Sequence, residues 1–162
     1  MGITAFCAWL EGRDYSSAIR TSDWLFPTIE TLHVLTLTLV VGSIAMVDLR
    51  LIGVASRERP VRQLTADVLP WTWISFVLAA ISGFLMFSSS ATKYVGDGPF
   101  RAKLALLVLA GVNMAVFHGL TYRRVQEWDR AVPPMAAKLA GGASLLLWIG
   151  IVFCGRWVGF TT

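Results

Sequence analysis

Four stretches of the chain run for about 20 residues with almost no charge, and the polar residues bunch into short segments between them. A helix of that length crosses the hydrocarbon core of a bilayer. The pattern therefore predicts four membrane-spanning helices, at about 24–49, 70–90, 101–122 and 135–158, in a single transmembrane domain over 1–162. Ser22 and Asp23 offer helix N-caps to the first span, and Pro27 is tolerated in its first turn. Arg57, Arg59, Pro60 and Arg62 make a polar loop, after which Trp71 and Trp73 read as an interfacial aromatic belt opening the second span. Turn formers from Tyr94 to Pro99 reverse the chain before the third. The segment with Arg123, Arg124, Glu127, Asp129 and Arg130 is the most polar loop, and Pro133-Pro134 suit the start of the fourth helix. Short connections between four spans imply an all-α, up-and-down four-helix bundle. Ile3 to Leu10 has no basic leader and is too short to span, so with Glu11 and Arg13 it reads as a short interfacial helix capping the outer end.

Composition agrees with the pattern: 56% of residues are hydrophobic and only 15% charged, against roughly a quarter charged in soluble domains. The lipid bilayer is the first partner, and four spans leave no room for a separate soluble domain. A net charge of +4 does not point to nucleic acid, because the basic residues sit at the ends of apolar segments and form no stripe. Arg50, Arg57, Arg59, Arg62, Arg123, Arg124, Arg130 and Lys138 flank the loops after spans one and three, against Arg13, Arg20, Lys93, Arg101, Lys103 and Arg156 on the other side. That bias places Met1 and Thr162 outside the cytoplasm, which in a bacterial inner membrane is the periplasmic face.

Ionisable groups within spans cost about 2 to 3 kcal/mol or more each, so Glu30, His33, Asp48, His118 and Arg156 each need a partner, a cavity or a function. Glu30 and His33, three apart, share a helix face. At equal depth Glu30 pairs with Arg156, Asp48 with Arg50 at a helix end, and Lys103 snorkels to the interface. Ser75, Ala79, Ser82, Met86 and Ser89 form a stripe of small or weakly polar groups on the second span, and Gly141, Ser144, Trp148, Ile151 and Gly155 repeat it on the fourth. Such stripes let backbones approach closely, or make room for a flat cofactor. Cys7 and Cys154 lack C-x-x-C spacing and are small apolar fillers by default.

His33 lies about four residues into its span and His118 about sixteen into a parallel one, a separation of roughly 18 Å at about 1.5 Å per residue. Each histidine therefore belongs to its own site. On the outer side Glu30, His33, Met86, Cys154 and Arg156 share a depth, and they combine imidazole and sulfur ligands of haem iron or copper with a carboxylate and a cation. On the inner side His118 accompanies Met46, Asp48, Asn113 and Tyr122. Either histidine also has a structural reading, as a hydrogen-bonded member of the bundle. No nucleotide loop, zinc-hydrolase motif or catalytic triad appears.

Through Trp24-Leu25-Phe26-Pro27, Glu30-Thr31-Leu32-His33, Asp48-Leu49-Arg50-Leu51, Pro70-Trp71-Thr72-Trp73 and Asn113 with Phe117-His118, the chain resembles a family of small bacterial four-helix membrane proteins of unknown function over nearly its whole length. More distantly, His33 followed by an apolar run and Val41-Gly42 is similar to the copper-resistance D membrane family and the haem-binding membrane protoporphyrinogen oxidase. That resemblance implies His33 as a ligand.

Three functional readings follow. The first is a membrane-embedded haem- or metal-binding protein, with haem b or copper as cofactor, passing electrons between a periplasmic donor and quinone or another membrane partner. The second is a cofactor-free structural or assembly subunit, and the third a copper-handling protein. In the haem reading His33 is an axial ligand, Arg156 meets a propionate, and the second axial ligand is Met86 or the His33 of a second copy in a homo-oligomer.

Overall fold

The structure is a computed structural model that describes residues 2–161, so the expected placement of Met1 and Thr162 falls outside the described residues. The chain opens with two short helices, α1 (Ile3–Glu11) and α2 (Asp14–Thr21), before the first long helix α3 (Leu25–Ile52). Then come α4 (Val61–Ser89), the short α5 (Ala91–Gly96), α6 (Gly98–Val116), α7 (Val125–Trp128) and α8 (Met135–Thr161). A π-helical turn, Phe117–Thr121, and a 3-10 turn, Tyr122–Arg124, join α6 to α7 without a break in the rod. Helices α3, α4, α6 with its extension, and α8 are each long and apolar enough to cross a membrane. With no strand among the described residues, the chain is an all-α, multi-pass membrane bundle.

The helix ends show how the boundaries are set. The Ser22 hydroxyl accepts from the Leu25 amide at 3.3 Å, so the cap signal begins the first span as expected. That span continues beyond 49 to Gly53, whose φ of +87° is a left-handed stop that a residue with a Cβ adopts only under strain. The second span starts at Val61, well before the expected 70, with Pro70 inside the helix. Its first turn is held from outside: Asp129 accepts from the Arg62 amide through Oδ1 at 2.8 Å and from the Val61 amide through its carbonyl at 3.3 Å. A cap 67 residues away in sequence leaves no local signal. The expected polar loop after the third span is largely helical, carrying Arg123, Arg124 and Glu127 on the rod. Asp97 caps α6, accepting from the Phe100 amide at 2.9 Å.

Helix α3 packs against α4 and α8, and α8 packs against α6, whereas α4 and α6 scarcely touch. The bundle is thus a trough with α3 and α8 as its floor and an open seam between α4 and α6. Halfway along, Val40, Trp148 and Ile151, with Leu37, Leu106 and Leu107 against them, form an apolar plug. At the terminal end, Cys7, Leu10 and Ala91 knit α1 to α5. There the Glu11 carboxylate accepts from the Thr92 amide and hydroxyl, both at 2.7 Å. The interfacial helix expected at the N-terminus is present, and α2 continues it.

At the opposite end Leu51, Val61, Phe117, Val125, Trp128 and Ala137 cluster. Arg50, buried there at 2% exposure, donates through Nε to the Arg59 carbonyl at 2.8 Å and through Nη2 to the Asp129 carbonyl at 3.3 Å. The expected Asp48–Arg50 pair is therefore absent, because backbone carbonyls freed at the helix ends capture the guanidinium.

Helices α3 and α8 approach closely at Gly141, where an added Cβ would lie 3.0 Å from the Asp48 carbonyl oxygen and 3.2 Å from the Leu51 Cβ. Gly142, its neighbour, has nothing within 4 Å of the same position. Gly141→Ala is expected to destabilise the detergent-solubilised protein by about 1–3 kcal/mol through overpacking. Gly142→Ala should be neutral or slightly stabilising. Thermal unfolding of the two variants side by side checks the difference.

Candidate functional site

Two cavities sit in the trough, one on either side of the apolar plug. The larger, about 960 Å³, opens at the terminal end and is lined by Glu30 and His33 of α3, Gly83 and Met86 of α4, Lys103 of α6, and Gly155 and Arg156 of α8, among others. The smaller, about 370 Å³, lies toward the opposite end and includes Asp48, Asn113, His118 and Ser144 in its wall.

In the larger cavity the His33 ring packs against α4. Its Nδ1 is 3.0 Å from the Ala79 carbonyl oxygen and 3.1 Å from the Ser82 hydroxyl. A carbonyl only accepts, so Nδ1 carries the ring proton and Nε2 keeps its lone pair. Gly83 makes the approach possible, since a Cβ there would meet the ring's Cε1 at 3.0 Å. The small-residue stripe of the second span thus has a local purpose: Ala79, Ser82 and Gly83 seat the imidazole, and Met86 lines the cavity beyond.

The cavity wall is cationic. Among the described residues Arg20, Lys93, Lys103 and Arg156 line it together with Glu30. Arg20 donates to the Ser89 carbonyl at 3.0 Å, which ties α2 to the end of α4. Lys103 does not snorkel away to the interface as expected. Its ammonium lies 3.3 Å from the position a Gly155 Cβ would take, inside the cavity and within electrostatic reach of His33. The missing side chain at Gly155 opens that path.

Four of the five residues expected to share the outer depth, Glu30, His33, Met86 and Arg156, do line one cavity. Cys154 does not line it, and its charge-bearing neighbour is Lys103. Nor does Glu30 pair with Arg156: among the described residues no ion pair joins them, and the guanidinium lies 4.8 Å from the centre of the Phe160 ring. The cation–π contact and the open cavity take the place of the expected partner. Sequence reasoning missed Arg20, Lys93 and Lys103 as wall residues. The spacing of Phe100, Lys103, Leu107, Ala110, Met114 and Phe117 in alternating threes and fours marked the face of α6 that turns inward.

His118 lies in the second cavity, apart from His33 as the depth argument required. It stands in the π-helical turn, its Nδ1 is 3.0 Å from the Met114 carbonyl oxygen, and its ring lies 5.1 Å from that of Tyr122. Asp48 and Asn113 share its cavity as expected, whereas Met46 faces outward at 48% exposure. Among the described residues no three His, Cys, Asp or Glu side chains come together.

A helical membrane protein with two largely apolar cavities, each carrying a few polar side chains, in a one-sided cleft is the class that this geometry defines. The chain belongs to the DUF6644 family of unknown function, which matches residues 6–161. No curated protein and no solved structure matches it.

With no ion pair between them, Glu30→Gln and Arg156→Gln should act independently. Their effects on unfolding free energy are expected to add within about 0.5 kcal/mol in the double variant, as for uncoupled sites. A coupling well above that value in detergent unfolding would reinstate the pair.

Proposed function

We propose that this protein is a membrane-embedded haem protein of a bacterial inner membrane that carries electrons between a periplasmic donor and quinone or another membrane partner, with His33 as axial ligand. The observation that carries the reading is the seating of His33. Its Nδ1–H is held by the Ala79 carbonyl at 3.0 Å, so the Nε2 lone pair is left to a ligand-sized cavity. A ligating histidine is characteristically oriented in this way, by a backbone carbonyl on its other nitrogen.

The remaining donors fit haem better than a bare metal ion. Copper held by protein alone calls for several converging ligands, and no cluster of three His, Cys, Asp or Glu forms among the described residues. Lys103 and Arg156 in the wall would also repel a metal ion, whereas a porphyrin brings two propionates for them to neutralise. The cavity, at about 960 Å³, is at the upper end of the range for ligand sites of roughly 300–1,000 Å³. His33 would hold the haem, and Met86, which lines the same cavity, or the imidazole of a second copy would be the source of any further iron donor. Bound haem would supply a one-electron couple. The chain's part is to hold the imidazole, balance the propionate charge and keep bulk water from the ring.

The test is haem titration of the detergent-purified protein, read by the Soret band and the reduced-minus-oxidised spectrum. The wild type and His118→Ala are expected to take up one haem per chain, or one per two chains where the second imidazole comes from another copy. His33→Gly is expected to lose the signal, and added imidazole should restore it. A wild type that binds no haem, or a His33→Gly protein with an unchanged spectrum, overturns the reading and returns His33 to a structural role.

A further inference from the structure

Ser82 makes a contact that its own helix does not need. It is 2% exposed, and its hydroxyl donates along α4 to the Leu78 carbonyl at 2.7 Å, with the Ala79 carbonyl at 3.2 Å beside it. Ser88 and Ser89 of the same helix are satisfied by such a bond alone, to the carbonyls of Leu85 and Met86. Ser82 goes further, since its oxygen also stands 3.1 Å from Nδ1 of His33 on α3.

The direction of each bond follows from what the groups can do. Both carbonyls only accept, so the single Ser82 proton is spent on α4 and the hydroxyl oxygen offers His33 nothing but a lone pair. Nδ1 therefore faces two acceptors at once, the Ala79 carbonyl at 3.0 Å and the Ser82 oxygen at 3.1 Å. The other neutral tautomer would set a nitrogen lone pair against both oxygens. A ring turned over would aim a C–H at them and lose both hydrogen bonds. The bonds also run head to tail, from Nδ1–H into Ser82 and from the Ser82 hydroxyl into the Leu78 carbonyl. Hydrogen bonds in such a chain polarise one another, and a hydroxyl that is donating is the better acceptor. The pull on the Nδ1 proton moves electron density toward Nε2, the nitrogen left for a metal.

We infer that Ser82 is a positioning residue of the His33 site, which holds the imidazole as the Nδ1–H tautomer and strengthens Nε2 as an electron donor. The inference deepens the haem reading and rests on it for the metal, whereas the hold on the tautomer belongs to the chain alone. A stronger donor favours oxidised iron, so Ser82 sets the midpoint potential below that of a ring held by the Ala79 carbonyl only.

Two measurements on Ser82→Ala and Ser82→Thr keep the two readings apart. The first needs no haem: nitrogen NMR of the tag-free, histidine-labelled protein in detergent, at a pH where the ring is neutral. In a His118→Ala background His33 is the one histidine left. It is expected to show a protonated Nδ1 and an unprotonated Nε2, and its Nδ1–H proton resonance should move upfield in Ser82→Ala. The second is redox titration of the haem-loaded protein. The midpoint potential should rise in Ser82→Ala and return toward the wild type in Ser82→Thr, which keeps the hydroxyl. A merely structural contact would instead lower the melting temperature of Ser82→Ala and leave the potential where it was. An Nε2–H tautomer in the wild type, an Nδ1–H resonance unmoved in Ser82→Ala, or an unchanged potential each overturns the inference. A wild type that takes up no haem overturns the haem reading instead, and the resonances still decide whether Ser82 holds the ring. The wild-type tautomer is readable even where a variant does not fold.

Discussion

Within hydrocarbon a polar group has no water to fall back on, and the organisation of this bundle follows from where each such group finds a partner. Most hydroxyls in the spans solve the problem locally. Thr28, Thr31, Thr36 and Thr38 of α3 and Ser82, Ser88 and Ser89 of α4 donate to carbonyls three or four residues back on their own helix. These bonds hide polarity without tying helices together. The groups that cannot be satisfied within one helix are the ones that define the molecule: His33 reaches across to α4, Arg50 to the loops, Asn113 to the Ala140 carbonyl at 3.0 Å, and Asp48 leaves one oxygen unmatched.

The two ends of the bundle are fastened by different means. At the terminal end a collar of short helices is held by Glu11 on Thr92 and by Arg20 on the Ser89 carbonyl. At the other end Asp129 gathers Arg50, Val61 and Arg62 into one knot of backbone and side-chain bonds. Between these fastenings the hydrophobic effect contributes little, since lipid tails are as apolar as the side chains. Close packing, as at Gly141 and in the layer around Val40, has to do the holding.

Much of this was legible in the residues. The four spans, the cap at Ser22, the turn before the third helix and the grouping of Glu30, His33, Met86 and Arg156 follow from apolar length, helix periodicity and depth, all local quantities. What was not legible depended on long-range geometry. The start of α4 is set by Asp129, distant in sequence, and a guanidinium assigned to Asp48 by proximity goes instead to carbonyls on two loops. Lys103 was assigned to the interface because snorkelling is the default for a lysine near a helix end. The absent side chain at Gly155, on another helix, gives it a path inward that no one-dimensional rule registers.

The sparse contact between α4 and α6 has a mechanical meaning. No residue of α6 between Gly98 and Val116 is fully buried, and the helix is held chiefly along α8, so it is the least constrained wall of the trough. Because α6 borders both cavities, a tilt of that one helix about α8 would alter the volume of each, with the apolar layer between them as the fulcrum. Two ligands that never touch would then be coupled through a shared hinge, and whatever one does to the affinity of the other must be returned in equal measure.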